Sequence, residues 1–265
     1  MSVFSSAIGW LANRMPFATR TPHFVRDQRA QALALTLTVG RDAGARLSVG
    51  GEFEAFGKIE LALLRSLGLS DASSIVDIGC GSGRLANALN AAMPKVNYHG
   101  TDVVPRLLKY ARAHAPAHFR FTAVEGLTIP EKDNVADFVT FFSVVTHLAH
   151  HESYRYLEEA RRVAKPGGLI VVSFLQFTNP AHWPNFQDVL ENASKAFFKP
   201  PINVFIEPDI FGVWCEHLGL QLEKLIPGDQ SVIPLTEPVE CESGLRLTGA
   251  ASFGQSIAVI RKPIV

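Results

Sequence analysis

The sequence predicts an α/β fold in which a mostly parallel β-sheet is covered by helices on both faces. From about residue 74 onward, short apolar segments typical of buried strands alternate with stretches of helical periodicity. This alternation is typical of parallel sheets whose two faces are both covered. In addition, a glycine-rich run joins the first apolar segment directly to a helix, which is where sheets of this kind bind ligands.

Two helical segments precede the alternating region. Residues 27–39 are rich in leucine at helix-like spacing, and residues 52–67 place their large apolar side chains largely on one side. An apolar stripe of this kind docks a helix on a core. We expect residues 1–45 to form an N-terminal helical or lid segment, partly disordered, ahead of a main domain over residues 46–265.

The glycine-rich run follows the first predicted strand. Residues 75–78 are followed by glycine at every second position, at Gly79, Gly81 and Gly83. Glycine tolerates the torsions of a strand-to-helix turn and leaves the backbone bare for a ligand. A dinucleotide-binding loop needs its third glycine where this chain has Arg84, and no Gly-Lys-Ser/Thr follows. Neither a dinucleotide loop nor a P-loop is therefore indicated.

Acidic or small polar residues stand at the ends of the first four predicted strands. These residues are Asp77, Asp102, the pair Glu125-Gly126, and Ser143. In open α/β sheets ligands bind beyond the carboxyl ends of the strands, so we expect these residues to share one site. An acid about 20 residues beyond a glycine loop is placed to accept hydrogen bonds from ribose hydroxyls.

In this order and spacing, the features resemble the motifs of the class I S-adenosylmethionine-dependent methyltransferases, of the small-molecule type. The resemblance is close over about residues 70–175 and extends to a lead-in segment at residues 46–57. It implies a Rossmann-like, seven-stranded, mostly parallel sheet with an antiparallel last strand. Residues 255–261 are the candidate for that strand, with residues 220–226 as its partner. The Lys-Pro-Gly-Gly run at residues 165–168 is expected to be a turn into the fifth strand.

The resemblance also implies S-adenosylmethionine as co-substrate. The expected cofactor-binding residues, all near strand ends, are Asp77, Gly79, Cys80, Gly81, Asp102, Val103, Glu125, Gly126 and Ser143. The glycine loop would hold the methionine part, and Asp77 would orient its amino group. Asp102 would hold the ribose, while Val103 and Glu125-Gly126 would flank the adenine. Cys80 is expected to be a small packing residue.

Histidines cluster just after the fourth strand, at His147, His150 and His151. A sulfonium methyl is already activated, so the protein mainly has to place the nucleophile in line with it. A general base is needed for a hydroxyl acceptor, and His147 is the candidate. His147 and His151 have a spacing that suits a metal site. Solvated or capping histidines are the simpler interpretation, and no metal is predicted.

The acceptor is expected to be covered by an insertion at about residues 176–207. Aromatic residues and helix-breaking prolines are frequent in and beside this insertion. The aromatic residues are Phe174, Phe177, Trp183, Phe186, Phe197, Phe198 and Phe205. Lining the site, they would suit an apolar or ring-containing small molecule. The alternative is that they fill the insertion's own core or a dimer interface.

Composition limits the classes of partner. Lys plus Arg and Asp plus Glu number 25 each, and no long basic run occurs, so nucleic acid is not expected as a partner. The three cysteines are far apart and indicate neither a disulfide framework nor zinc, which fits a reducing cytoplasm. No apolar stretch reaches the roughly 18 residues of a membrane span.

The predicted function is methyl transfer from S-adenosylmethionine to an oxygen, nitrogen or carbon of a small molecule, with catalysis mainly by positioning. Two alternatives stay open. One is a catalytically inactive, methyltransferase-like binding or partner subunit, and the other is a protein methyltransferase. Acids at three strand ends argue against the inactive alternative, because a protein that binds no cofactor has no physical need for all of them.

Overall fold

The protein is described here by a computed structural model over residues 21–192 and 202–264. Expectations for residues 1–20, and for Phe197 and Phe198, lie outside these described residues. Among the helices of the described chain, none combines the length and the apolar character needed to cross a bilayer.

A seven-stranded sheet forms the centre of the fold. Its strands are β1 (Ser74–Ile78), β2 (Asn97–Asp102), β3 (Arg120–Ala123), β4 (Ala136–Phe141), β5 (Ala164–Phe174), β6 (Gln221–Ile226) and β11 (Ser256–Arg261). The spatial order is β3-β2-β1-β4-β5-β11-β6. Only β11 runs antiparallel to its neighbours β5 and β6. The predicted α/β class, with a seven-stranded, mostly parallel sheet and an antiparallel last strand, is confirmed.

Four two-residue strands lie in the long connection between β6 and β11. They are β7 (Ile233–Pro234), β8 (Val239–Glu240), β9 (Arg246–Leu247) and β10 (Ala250–Ala251). β7 pairs with β10 and β8 pairs with β9, both antiparallel.

Helices cover both faces of the sheet. They are α1 (His23–Val39), α2 (Arg41–Leu47), α3 (Phe53–Ser66), α4 (Arg84–Ala92), α5 (Pro105–Ala113), α6 (His150–Val163), α7 (Trp183–Asn192) and α8 (Pro208–Leu218), with short 3-10 helices at Val145–His147 and Pro180–His182. On one face, α3, α4 and α5 pack on side chains such as Ile75 and Val171. On the other face, α1, α6 and α8 pack on their strand neighbours Val76 and Val172. Successive strand residues point to opposite faces, so a parallel strand covered on both sides is apolar throughout.

Helix ends follow local chemistry. Pro105 and Pro208 are the first residues of α5 and α8, where a missing N–H leaves no hydrogen bond unmade. Gly219 ends α8 with φ 62°, a conformation that costs glycine little. α1 begins four residues before the predicted residue 27.

The Lys-Pro-Gly-Gly run differs from its expectation. Instead of preceding β5 as a turn, residues 165–168 lie inside it. Ala164 pairs with Ala136 and Leu169 pairs with Phe138, so the four residues bulge out between two paired positions. Gly167 has φ 81°, a left-handed conformation that glycine adopts without steric cost. The two ends of the run are paired to β4, which is why the run belongs to the strand.

Candidate active site

The glycine loop between β1 and α4 needs its glycines for two reasons. Gly79 has φ 67° and Gly81 has φ 55°, both left-handed. A Cβ on Gly79 would stand 2.5 Å from Val144 Cγ2, and one on Gly81 would stand 2.4 Å from Val49 Cγ1. Side chains are therefore excluded by conformation and by space, and the loop presents bare backbone to the adjoining cavity.

A cavity of about 330 Å³ opens at the carboxyl ends of the strands. Its size falls within the range of small-molecule sites. The predicted residues that line it are Asp77, Gly79, Cys80, Gly81, Asp102, Val103, Ser143 and His147. Predicted residues that are far apart in the sequence thus line one cavity.

Glu125 and Gly126 are the predicted residues outside this lining. The Glu125 side chain is 80% exposed and pairs with Arg29 of α1 at 3.2 Å. The Gly126 carbonyl accepts a hydrogen bond from the Tyr156 hydroxyl at 3.0 Å. Arg29 also donates from Nε to the Val103 carbonyl at 2.7 Å, which ties α1 to the edge of the cavity. The adenine contacts predicted for Glu125 and Gly126 stay predictions.

Asp77 lies buried beneath the glycine loop. Its carboxylate accepts hydrogen bonds from the Tyr98 hydroxyl and from the Thr140 hydroxyl, both at 2.7 Å. Burial raises the pKa of Asp77 to about 7, although the two hydrogen bonds act in the opposite direction. A cationic group entering the cavity would favour the ionised form of this carboxylate.

Asp102 connects β2 to the glycine loop. One carboxylate oxygen accepts from the Gly81 amide at 2.9 Å and the other from the Val104 amide at 2.7 Å. Burial raises the pKa of Asp102 to about 6, against the effect of these backbone hydrogen bonds. The amides orient the carboxylate, and each of its oxygens retains capacity to accept from a ligand hydroxyl.

The Cys80 thiol is buried in the loop at 7% exposure. A Cβ on Gly100 would stand 2.7 Å from its sulfur, so β2 packs closely on this side chain. Burial raises the pKa of Cys80 well above its ordinary value, which keeps the thiol protonated. A protonated thiol is a poor nucleophile, and the contacts support the predicted packing role.

A buried ion pair beside the glycine loop escaped the sequence analysis. Arg84 donates from Nε to Glu60 at 2.9 Å and from Nη1 to the Val49 carbonyl at 2.7 Å. Glu60 is 2% exposed and Arg84 is 9% exposed. Burial raises the pKa of Glu60, and Arg84 opposes that effect. The pair holds Val49 against Gly81. Its only sequence signal was a glutamate on the apolar side of α3.

His147 lies in the 3-10 helix after β4. Its Nδ1 is 2.8 Å from the Ile202 carbonyl, which can only accept, so Nδ1 carries the hydrogen. Burial lowers the pKa of His147, although this hydrogen bond acts in the opposite direction. Nε2 consequently bears a lone pair in a neutral ring. His151 is exposed in α6, outside the cavity lining, and the described residues contain no cluster suited to a metal ion.

The aromatic residues of the insertion mostly contact each other. Phe177 stacks on Phe205 with ring centroids 4.2 Å apart, and Trp183 and Phe186 pack beside them. Phe174 instead lies in the main core against Phe211. The described residues between 175 and 207 that line the cavity are Leu175, Asn185 and Asn203. In the described part of the insertion, these aromatic residues therefore contact each other rather than line the cavity, and Phe177 and Trp183 stay about half exposed, at 49% and 46%.

Comparison with known proteins agrees with this geometry. Residues 75–168 match the family model described as a methyltransferase domain. A ubiquinone biosynthesis O-methyltransferase of Xylella fastidiosa strain M23 is 28% identical over 161 residues, covering 57% of this chain and 62% of that protein. A demethylmenaquinone methyltransferase of Thermus thermophilus is 35% identical over 109 residues, covering 40% and 48%. The chain thus spans under two thirds of the length of these curated relatives.

Solved structures show the same fold. One such structure is a complex between the Haloferax volcanii Trm112 methyltransferase activator and a methyltransferase. A chain of that complex aligns with TM-score 0.59 at 18% identity, covering 89% of this chain and 98% of that chain. A possible histamine N-methyltransferase of Thermotoga maritima aligns with TM-score 0.56 at 17% identity, covering 88% and 100%.

The seven-stranded sheet and its glycine loop have the Rossmann-like fold of these solved structures. Over residues 75–168 the chain is similar to the methyltransferase domain family, and its fold is that of the solved structures compared above. The match to a methyltransferase domain implies S-adenosylmethionine as co-substrate. The site suits that molecule, since the cavity joins a bare backbone cradle to the carboxylates of Asp77 and Asp102. A carboxylate is the group that can receive ribose hydroxyls or an ammonium.

Proposed function

We propose that this protein methylates a hydroxyl oxygen of a small, neutral acceptor molecule. The observation that carries the proposal is a single cavity lined both by the predicted cofactor residues and by His147. S-adenosylmethionine supplies an activated methyl group. The protein therefore has to bind the two substrates, to orient the acceptor toward the methyl group and to accept one proton from the acceptor hydroxyl.

His147 is proposed as the general base. Because Nδ1 donates to the Ile202 carbonyl, Nε2 is the atom able to receive a proton. The lowered pKa of His147 keeps the ring neutral near pH 7, which is the form a base requires. An amine acceptor already deprotonated, or a carbon acceptor, would gain less from this arrangement.

We expect an uncharged acceptor because of where the charges around the cavity lie. The charged residues of the described lining are Asp77, Asp102, Glu60 and Arg84, all on or next to the glycine loop. Glu60 and Arg84 pair with each other. Other walls contribute uncharged amides, namely Gln28, Gln31, Asn185 and Asn203. An acceptor with a free carboxylate or ammonium would meet no opposite charge there, whereas a neutral oxygen-bearing molecule would find hydrogen bonds.

The N-terminal segment is proposed as part of the cover. α1 contributes Phe24, Gln28 and Gln31 to the cavity lining, and Val25 is fully buried in the core. The relatives also support an oxygen acceptor, since the Xylella protein is named an O-methyltransferase of ubiquinone biosynthesis. A ring carrying a hydroxyl is accordingly the acceptor to test first.

The first experiment measures S-adenosylmethionine binding by calorimetry, with Asp102→Ala as the site variant. Losing a hydrogen-bonded carboxylate should weaken binding by about 1–3 kcal/mol. Folded wild-type protein that binds nothing would refute the proposal. Saturable binding permits the second experiment, which follows transfer of a radiolabelled methyl group to a panel of neutral phenols and alcohols.

His147→Ala tests the base in that assay, with His151→Ala as the matched control. General-base catalysis contributes about 10²–10⁴-fold, so the first variant should lose activity on that scale and the second should keep it. Wild-type activity should rise with pH through a pKa below the ordinary 6.5 of histidine and then stay level. Equal activity and pH profiles in wild type and His147→Ala would remove the base from the proposal.

The same assays separate the two alternatives. An inactive partner subunit would bind S-adenosylmethionine without methylating any member of the panel or any protein. A protein methyltransferase would label protein in a cell extract and leave the small molecules unlabelled. Labelling of a phenol or alcohol at saturable rates is the result that our proposal requires.

A further inference from the structure

Three residues form a closed ring of hydrogen bonds behind the cavity, through their side chains and one backbone amide. The Ser143 amide donates to Ser173 Oγ at 2.7 Å, and Ser173 Oγ donates to Gln255 Oε1 at 2.7 Å. Gln255 Nε2 then donates to Ser143 Oγ at 3.0 Å. The ring joins the end of β4 to β5 and to the residue that precedes β11. Ser143 and Gln255 both line the cavity.

The Ser143 amide can only donate, and burial of Ser173 determines the direction of the two bonds that Gln255 makes. Ser173 is 0% exposed, and its oxygen already receives the Ser143 amide hydrogen. Its own hydrogen needs an acceptor, and Gln255 Oε1 is the oxygen within reach. The reversed amide would aim a second donor at Ser173 and leave its buried hydroxyl hydrogen unpaired, which is unfavourable. The distances agree, since 2.7 Å is typical of O–H···O and 3.0 Å of N–H···O bonds.

The ring also determines the role of the Ser143 hydroxyl. Its oxygen receives a hydrogen from Gln255, so its own hydroxyl hydrogen is free to donate. No described residue accepts from that hydroxyl, and the side chain borders the cavity. The hydrogen-bond ring therefore makes Ser143 a donor toward whatever molecule occupies the cavity.

The backbone of Ser143 shows that this placement is imposed by its surroundings. Ser143 has φ 60°, a left-handed conformation that a serine seldom adopts. Strain of this kind persists where neighbouring structure enforces it, often at ligand sites. The next residue, Val144, packs so closely on the glycine loop that Gly79 cannot carry a Cβ. Ser143 is thereby held beside the loop expected to carry the methionine part of the cofactor.

We propose that Gln255 is a positioning residue that holds the Ser143 hydroxyl as a hydrogen-bond donor to the carboxylate of the cofactor's methionine part. This inference rests on the proposed function, because it takes S-adenosylmethionine as the occupant. Gln255 acts through Ser143: it removes the alternative in which the serine hydroxyl donates inward to the protein.

The test measures binding of two probes by calorimetry to the wild type, to four variants of Ser143 and Gln255, and to one control variant. S-adenosylhomocysteine carries the amino-acid part, and 5′-methylthioadenosine lacks it. Ser143→Ala and Gln255→Met should each raise the dissociation constant of S-adenosylhomocysteine about tenfold or more, as for a lost hydrogen bond to a charged group. Neither should change the dissociation constant of methylthioadenosine by more than about twofold.

Two further variants separate positioning from general stability. Ser143→Gly suits the left-handed backbone, so its melting temperature should equal or exceed that of wild type while S-adenosylhomocysteine binding weakens as in Ser143→Ala. The double variant Ser143→Ala/Gln255→Met should bind no more weakly than Ser143→Ala alone, because one residue acts through the other. Gln230→Met, at an exposed site outside the cavity lining, is the control for the same chemical change.

Different failures have different meanings. Folded wild-type protein that binds neither probe overturns the proposed function together with this inference. Wild-type binding with unchanged affinity in Gln255→Met overturns this inference alone. Additive losses in the double variant would mean that Gln255 contacts the ligand independently, and equal losses for both probes would place the donor on the nucleoside part. Either result overturns the positioning role stated here.

Discussion

Replacing Asp77 with asparagine should make the protein's stability less dependent on pH. Asp77 is 3% exposed, and burial raises its pKa from the ordinary 3.8 to about 7. A carboxyl whose pKa is higher in the folded than in the unfolded state stabilises the fold at low pH. This contribution is lost as pH rises toward the folded pKa. At pH 5 the unfolded chain is already ionised at this position while the folded protein is not.

The magnitude follows from the width of that interval. Between pH 5 and about 7 the contribution changes over about two pH units, and each unit corresponds to about 1.4 kcal/mol. Wild-type protein should therefore lose about 3 kcal/mol of unfolding free energy through Asp77 alone. The asparagine amide keeps the shape, can accept from one of the two hydroxyls of Tyr98 and Thr140, and can donate to the other.

Urea unfolding at pH 5 and pH 8 measures this effect in both proteins. The difference in unfolding free energy, Asp77→Asn minus wild type, should become more positive by about 3 kcal/mol from pH 5 to pH 8. Asp102 and Glu60 titrate in both proteins, so their contributions largely cancel. Asp71→Asn, in an exposed turn, controls for the loss of one carboxylate. A difference that is the same at both pH values would refute the reasoning, since it would mean that Asp77 is already ionised in the folded protein at pH 5.

Two further predictions concern the floor of the cavity. Gly81→Ala should lower the unfolding free energy by more than about 1 kcal/mol and abolish cofactor binding, because the new Cβ would stand 2.4 Å from Val49 Cγ1 in a left-handed backbone. Urea unfolding measures the first effect and calorimetry the second. Wild-type affinity in this variant would contradict the prediction. Glu60→Gln should lower the unfolding free energy by about 3–5 kcal/mol, because it leaves the buried Arg84 guanidinium without its counter-charge. The double change Glu60→Leu/Arg84→Met should recover much of that loss. A loss under about 1 kcal/mol for Glu60→Gln would show that the pair is solvated.

Much of the fold was predictable because its signals are local. The central strands β1, β4 and β5 contain short apolar runs that are buried on both faces. Pro105 and Pro208 mark helix starts by the missing N–H alone. The glycine loop was equally legible, because left-handed torsions at Gly79 and Gly81 restrict those positions to glycine whatever the rest of the chain does.

The aromatic insertion and the Lys-Pro-Gly-Gly run show where local signals end. Composition predicts that Phe177 and Phe205 will pack against apolar partners, but it does not identify those partners. The fold stacks the two rings on each other, which buries Phe205 and leaves Phe177 49% exposed. Residues 165–168 have the composition of a turn. They belong to β5 because pairing to β4 continues on both sides of them, which depends on a partner strand about 30 residues away.

The sequence by itself determined that a sheet forms, which polar residues follow its successive strands and where the glycine loop lies. Torsional restriction and hydrophobic periodicity, which carry this information, act within a few residues. Only the tertiary structure decided which polar groups meet at the cavity. Gln255 reaches Ser143 across 112 positions, and Glu60 reaches Arg84 across 24. A hydrogen bond tolerates only a few tenths of an ångström of variation in the distance between donor and acceptor, and packing of the whole fold sets that distance. No pattern in either segment identifies its partner.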